Sequence, residues 1–336
     1  MKKRFFKYDF GTLLLAGGML LLATACSKDE TEDGQRTDIS DKDIRMNVDV
    51  LRVMEGTRAT TFDNPTALQN EGSFTCYAYN GETTTTFING STVNWIGSEN
   101  TWAFADGKKY WPATGSLDFF AYMPAEKPTY ISAVSYTTAR TPTITCTSLP
   151  MTSDGQASIK EFVYGLVAGQ TKDAQGETGV TMNFLHPFAR IDFKLAASHP
   201  NIIINSITLK GIQNNGTCTL NGTTSTWTPS GDATDFVMTL TGDAATFNNN
   251  PNTPQPIGGY AESAHTSIPL LMVPQDWEGE IEVNASWNDW GDTPVPHTVT
   301  TTIPAITWQP GYSYTYTFTI STDDLTVDIN SYTEQW

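Results

Sequence analysis

Cysteine is scarce in this 336-residue chain, and what there is does not pair off. Besides Cys26 there are only Cys76, Cys146 and Cys218. An odd number closes no disulfide framework. Cys76 shares a strand face with Phe74 and Ala78 and reads as a small buried hydrophobe. Positive charge is also scarce: 19 Lys and Arg stand against 36 Asp and Glu, a net −17. No Lys/Arg cluster follows the first few residues, which argues against nucleic acid and anionic lipid surfaces as partners. Long amphipathic helical patterns are missing, so a helical fold is not expected. The four histidines, His186, His199, His265 and His297, are far apart, and none has a ligand neighbour at metal-binding spacing. His186 and His199 each precede a proline and read as strand ends or turns. There is no glycine-rich phosphate loop after a strand and no Gly-x-Ser-x-Gly elbow. The pairs Asp323-Asp324 and Asp289/Asp292 sit in turn contexts, where solvated carboxylates are the ordinary reading. Together these absences leave no catalytic residue, no metal and no cofactor to expect, and hence no enzyme.

The one long apolar run is at the start. Lys2, Lys3, Arg4 and Lys7 precede a stretch from Leu13 to Leu22, which runs into Ala23-Thr-Ala-Cys26. The stretch is too short and too rich in glycine for a good spanning helix, and polar chain follows at once. Small residues before a cysteine resemble a bacterial lipobox, with Ala23 where Leu is commonest. Cys26 is therefore expected to be the lipidated first residue of an exported protein. The alternative is an ordinary secretory signal cleaved near Ala25. Removing four basic residues and Asp9 takes the net charge from −17 to −20, so membrane attachment would come from the lipid. Residues 27–43 are polar and read as a tether.

The rest is strongly β in pattern, rich in Thr, Asn, Ser, Gly and Tyr. Ile44, Met46, Val48 and Val50 alternate with polar residues and predict a half-buried strand. The alternation slips at Leu51 and Arg52, which predicts a bulge or strand end. The loop Glu55–Thr60 carries Arg58. Ser73–Asn80, Leu117–Tyr122, Val180–Leu185, Ile202–Leu209 and Ile281–Trp287 continue the strand pattern. The clearest strand is Tyr312–Ile320, where Tyr312, Tyr314, Tyr316 and Phe318 should face a core. Leu325, Val327 and Ile329 alternate once more before the end. Many short strands punctuated by turns predict an all-β chain of two tandem β-sandwiches meeting near residue 175, inside the polar connection Lys172–Thr178. Trp95, Trp102, Trp111, Trp277, Trp287 and Trp290 are either core packing or platforms for sugar rings.

Five places in order carry a resemblance to a known family. They are the lipobox at Cys26, Gly56-Thr-Arg-Ala59, and Tyr110-Trp-Pro leading to Phe119-Phe-Ala-Tyr-Met-Pro124. The others are Phe184-Leu-His-Pro-Phe-Ala-Arg-Ile-Asp-Phe193, and Leu271-Met-Val-Pro-Gln275 with Trp308-Gln-Pro-Gly-Tyr-Ser-Tyr314. The chain resembles the fimbrillin family, the subunits of lipoprotein-derived type V pili. The resemblance implies transthyretin-like, Greek-key sandwiches and a structural role in a surface pilus that supports adhesion. It implies export as an outer-membrane lipoprotein with residues 1–25 as signal peptide, then cleavage by an arginine-specific surface protease between Arg58 and Ala59. Residues 26–58 would be a lipidated tether plus a removable first strand. Residues 59–175 and 176–336 would be the two domains, the second ending in strand 325–330. The groove left by Ile44, Met46, Val48 and Val50 would be filled by a strand of another copy or related subunit, with Leu325, Val327 and Ile329 as the candidate donor. On the residues alone, 325–330 reads equally as the last strand of its own domain. Arg45 and Arg52 are rival cleavage sites within strand-like sequence. The competing function is a monomeric outer-membrane lipoprotein that binds glycans through exposed aromatics and stays full length.

Overall fold

The computed structural model describes residues 39–50, 62–81, 85–136, 141–197, 202–222, 224–241, 246–247, 255–257, 270–287, 293–320 and 325–335. The chain opens with β1 (Ile39–Asp43), β2 (Met46–Val50) and a short helix α1 (Pro65–Glu71). Then come β3 (Ser73–Asn80), β4 (Thr86–Ile96), β5 (Thr101–Phe104), β6 (Tyr110–Pro112) and β7 (Ser116–Met123). β8 (Ile131–Ser135), β9 (Thr143–Cys146), α2 (Ser153–Ser158), β10 (Val163–Thr171), α3 (Lys172–Gln175) and β11 (Val180–Phe184) follow. Next are β12 (Ala189–Ala197), β13 (Ile202–Ile212), β14 (Asn215–Asn221), β15 (Thr224–Ser230) and β16 (Thr234–Thr239). β17 (Thr246–Phe247), β18 (Gln255–Ile257), β19 (Leu270–Met272), β20 (Asp276–Trp277) and β21 (Glu280–Trp287) lead on. The chain closes with β22 (Val295–Thr302), β23 (Ile306–Thr307), β24 (Tyr312–Ile320) and β25 (Leu325–Gln335).

The fold is all-β, as the sequence pattern predicts. A first sheet runs β10-β7-β3-β4-β5-β2-β11. Strand twist, sharpened by bulges in β3 and β10, curls it until its two end strands meet. The Tyr164 N–H donates to the Leu185 carbonyl at 3.0 Å, and the Leu185 N–H donates back at 2.7 Å. Inside lies an apolar core that includes Phe74, Val93, Phe119, Met182 and Phe184. The sheets β16-β13-β21-β22 and β18-β12-β24-β25 share a second core, with Ile191, Phe193, Ile207, Val283, Tyr316 and Phe318. A four-stranded sheet, β15-β14-β9-β8, packs a third core against Phe120 and Tyr122 of β7. Cys76, Cys146 and Cys218 are all buried and free.

Strands from both sides of residue 175 share sheets. α3 ends there, the first sheet takes β11 from beyond it, and β9 pairs with β14. From Asp38 onward the chain is one compact unit.

β24 shows why alternation reads well. Tyr314, Tyr316 and Phe318 are buried, and Tyr312 packs half-buried on the same core. Each buried hydroxyl finds a partner: Trp308 Nε1 donates to the Tyr316 oxygen at 2.9 Å, and the Tyr314 hydroxyl donates to the Thr307 carbonyl at 3.0 Å. Ser313 and Thr317 on the other face are buried as well. β24 is an interior strand, and that face carries the buried Arg190–Asp192 pair, to which the Ser313 hydroxyl donates at 3.3 Å.

Helix α1 was not expected from periodicity. It buries only Leu68, so no apolar stripe marks it. Its ends are nevertheless written in the sequence. The Asn64 side chain accepts from the Ala67 N–H, Pro65 starts the helix, and Gly72 ends it at φ +82 with its N–H on the Leu68 carbonyl.

Candidate functional site

β2 reads Met-Asn-Val-Asp-Val, and its burial follows the alternation. Met46 and Val50 are buried with Ile44 just ahead of them, Val48 is half-buried against the same core, and Asn47 and Asp49 are exposed. The strand lies parallel to β11 along its whole length, from Met46 opposite Val180 to Val50 opposite Phe184. On its other side it meets β5 only at Met46 opposite Trp102. β5 begins at Thr101, next to Trp102, so among the described residues the rest of this edge of β2 has no ladder partner. β2 is thus a core strand held mainly by one neighbour. Burying Ile44, Met46 and Val50 contributes roughly 5–9 kcal/mol before ordering costs.

Polar contacts hold the outer face. The Ile44 N–H donates to the Lys109 carbonyl at 2.7 Å, and the Val180 N–H donates to the Arg45 carbonyl at 2.8 Å. Asn47 Nδ2 donates to the Thr178 carbonyl at 2.7 Å. Next to it Gly179 takes φ +84, and a Cβ there would press on Asn47 and Arg45 at 3.0–3.2 Å. Lys42 pairs with Glu177, and Lys108 with Asp43 at 3.2 Å. Hydrogen bonding within the first pair holds the Lys42 pKa up and the Glu177 pKa down. Exposed pairs like these add at most about 1 kcal/mol each.

At Phe62 a buried carboxylate holds the chain. The Phe62 N–H donates to Glu161 Oε2 at 2.9 Å, and Glu161 Oε1 lies 2.7 Å from His186 Nδ1. Phe62 itself is buried in the first core. Glu161 precedes β10 and His186 follows β11, so this buried group stands at the seam where the first sheet meets itself. Nothing in the sequence marks this group, because 25 residues separate the two side chains. A His before a Pro gives no sign of its partner.

Leu325, Val327 and Ile329 lie on β25, the edge strand beside β24, opposite Ile320, Phe318 and Tyr316. Here the candidate donor segment pairs within its own sheet, apart from the sheet that holds β2. Cys26, Arg58, Ala59 and the rival Arg52 lie outside the described residues. Arg45 is described: its carbonyl is engaged by Val180, which shields that bond from a protease. Trp102, Trp111, Trp277 and Trp287 are buried, and Trp95 packs half-buried at 5.4 Å from Trp102. Trp290, Asp289, Asp292, Asp323 and Asp324 lie outside the described residues, as do His199 and His265. His297 stacks on Trp287 at 3.6 Å. Among the described residues no group of His, Cys, Asp and Glu could hold a metal ion, and no helix is long and apolar enough to cross a membrane.

A protein-family model described as fimbrillin-like matches residues 57–336. The chain belongs to the fimbrillin-like family. The match of this fimbrillin-like chain begins at Thr57, after β2 and one residue before Arg58. No curated protein matches. Among solved structures, it is similar to a protein named for cell adhesion from Bacteroides uniformis, at 15% identity over 88% of this chain and 99% of that one, TM-score 0.49. Another such protein, from Bacteroides ovatus, is 16% identical over 87% of this chain and 96% of that one, TM-score 0.48. The tip fimbrial protein Mfa3 from Porphyromonas gingivalis, truncated at its C-terminus, is 10% identical over 86% and 98%, TM-score 0.45.

Proposed function

We propose that this fimbrillin-like chain is a structural subunit of a cell-surface fimbria and supports adhesion. It is exported as a lipoprotein on Cys26 and held at the outer membrane by that lipid. An arginine-specific surface protease cuts between Arg58 and Ala59 and frees β1 and β2. The groove between β5 and β11 then takes Leu325, Val327 and Ile329 from another copy or a related subunit. β-Strand addition of this kind supplies backbone ladder bonds for affinity and side-chain pockets for specificity. The observation that carries the reading is the position of β2: it is buried in the core and paired along one edge, yet lies outside the span of the family match. Phe62, held by Glu161, supports it further, since the chain beyond the cut is anchored without β2. The glycan-binding alternative draws no support from the described tryptophans, which are spent on cores.

The test uses the full chain. In cells the precursor should carry lipid on Cys26, and Cys26→Ala should abolish labelling by a lipid precursor. A trypsin-like protease should produce a chain beginning at Ala59 that oligomerises slowly, while Arg58→Ala stays monomeric. Cleaved protein that has lost β2 and remains monomeric at high concentration would refute strand exchange.

A further inference from the structure

We infer that the incoming strand has a fixed direction and register: it runs parallel to β11, with Leu325 at the place of Met46, Val327 at that of Val48 and Ile329 at that of Val50. The inference rests on the strand-exchange reading above and adds what that reading leaves open. Alternation alone is indifferent to direction, because an inverted strand also presents residues 325, 327 and 329 to the pockets.

Two observations separate the directions. The first is a match of sequence. β2 is Met46-Asn-Val-Asp-Val50, and β25 opens Leu325-Thr-Val-Asp-Ile329. Read in the same direction, Val-Asp coincides at the third and fourth places. Leu then takes the site of Met, a swap of similar volume, and Ile takes that of Val. Inverted, a β-branched Ile would enter the site that Met46 fills, between Trp102 and Val180.

The second is the polar contact at position 47. Asn47 donates to the Thr178 carbonyl. In the parallel arrangement Thr326 takes this place, and its neutral hydroxyl, shorter than the Asn47 amide, can donate toward that carbonyl through a bridging water. Inverted, Asp328 takes it, and an ionised carboxylate has only acceptors to offer. Cleavage worsens that mismatch. Lys42, the ion-pair partner of Glu177, leaves with β1, so the negative Glu177 next to Thr178 loses its countercharge. At position 49 the exposed Asp49 accepts from the Val50 N–H, a local bond that Asp328 and Ile329 reproduce in the parallel register.

Cross-linking tests this on assembled protein. Thr181 and Asn183 of β11 face solvent, opposite Asn47 and Asp49. Full-length chains carrying Thr181→Cys with Thr326→Cys, or Thr181→Cys with Asp328→Cys, are cleaved, polymerised and oxidised. The three native thiols that remain after cleavage are buried and add little background. The Thr181/Thr326 variant should give a non-reducing ladder at least ten times stronger than the Thr181/Asp328 variant. As a second readout, Thr326→Asp should slow polymerisation about tenfold, while Thr326→Asn should leave it unchanged. A ladder only from Thr181/Asp328 overturns the direction and leaves strand exchange standing. Polymer with neither ladder overturns the donor assignment. Cleavage without any polymer removes strand exchange itself, and this inference with it.

Discussion

Truncating Met46 to alanine should loosen one strand and spare the rest of the molecule. Met46 is 2% exposed, at the point where β2 touches β5 and β11 together. The change deletes three heavy-atom groups from a packed core. At roughly 0.8 kcal/mol each that is about 2.4 kcal/mol, before any cavity term. In an ordinary core strand the loss would appear as global destabilisation. β2 is paired along its length on one edge and at Met46 alone on the other, so the loss should appear first as easier detachment of that strand. The reporter is the Val180 amide, whose partner is the Arg45 carbonyl at 2.8 Å. Its hydrogen exchange in the intact chain should accelerate about 50-fold, since every 1.4 kcal/mol is tenfold. Amides of β13 in the second core, such as Ile207, should keep their wild-type rates. Equal acceleration at Val180 and Ile207 would show that β2 opens only when the whole unit unfolds. No acceleration at either would show that the Met46 site collapses without cost. Either result refutes β2 as a separable unit.

Glu161→Ala should cost about 1–3 kcal/mol in urea unfolding, because it removes the acceptor of the buried Phe62 N–H and the carboxylate beside His186 Nδ1; Glu161→Gln, which keeps an acceptor, should cost less. The same measurement against pH should show stability falling from about pH 9 upward. Burial pushes the Cys146 and Cys218 thiols up to about 12 from 9.0, pushes Cys76 up as well, and lifts Tyr164 to about 12 from 10.0. Groups with raised folded pKa values contribute stability that is complete below their unfolded values and lost as pH climbs through that window. A urea midpoint unchanged between pH 8 and pH 11 would contradict the buried thiols.

The sequence by itself determined most of the strands and which face of each is apolar, but β1, whose largely polar residues Ile39–Asp43 read as tether, becomes a strand only through its pairing with β6. β2, β3, β11 and β24 are legible because side chains alternate with a period of two, and that depends only on neighbours along the chain. The buried cysteine on β3 was legible for the same reason. Helix α1 was legible only at its ends, since a single buried leucine gives no stripe. Arg58 and Cys26 stand out through motifs, which are also local to the chain. Tertiary structure decided the pairings. Nothing local to Met46–Val50 says that it lies parallel to Val180–Phe184 or meets β5 at one residue. Nothing local to Glu161 says that its carboxylate joins His186 and the Phe62 amide. Alternation fixes a strand's faces, but its hydrogen-bonding edges are the same backbone everywhere. Which edge they meet is settled only when the sheet twists, curls and closes on one core.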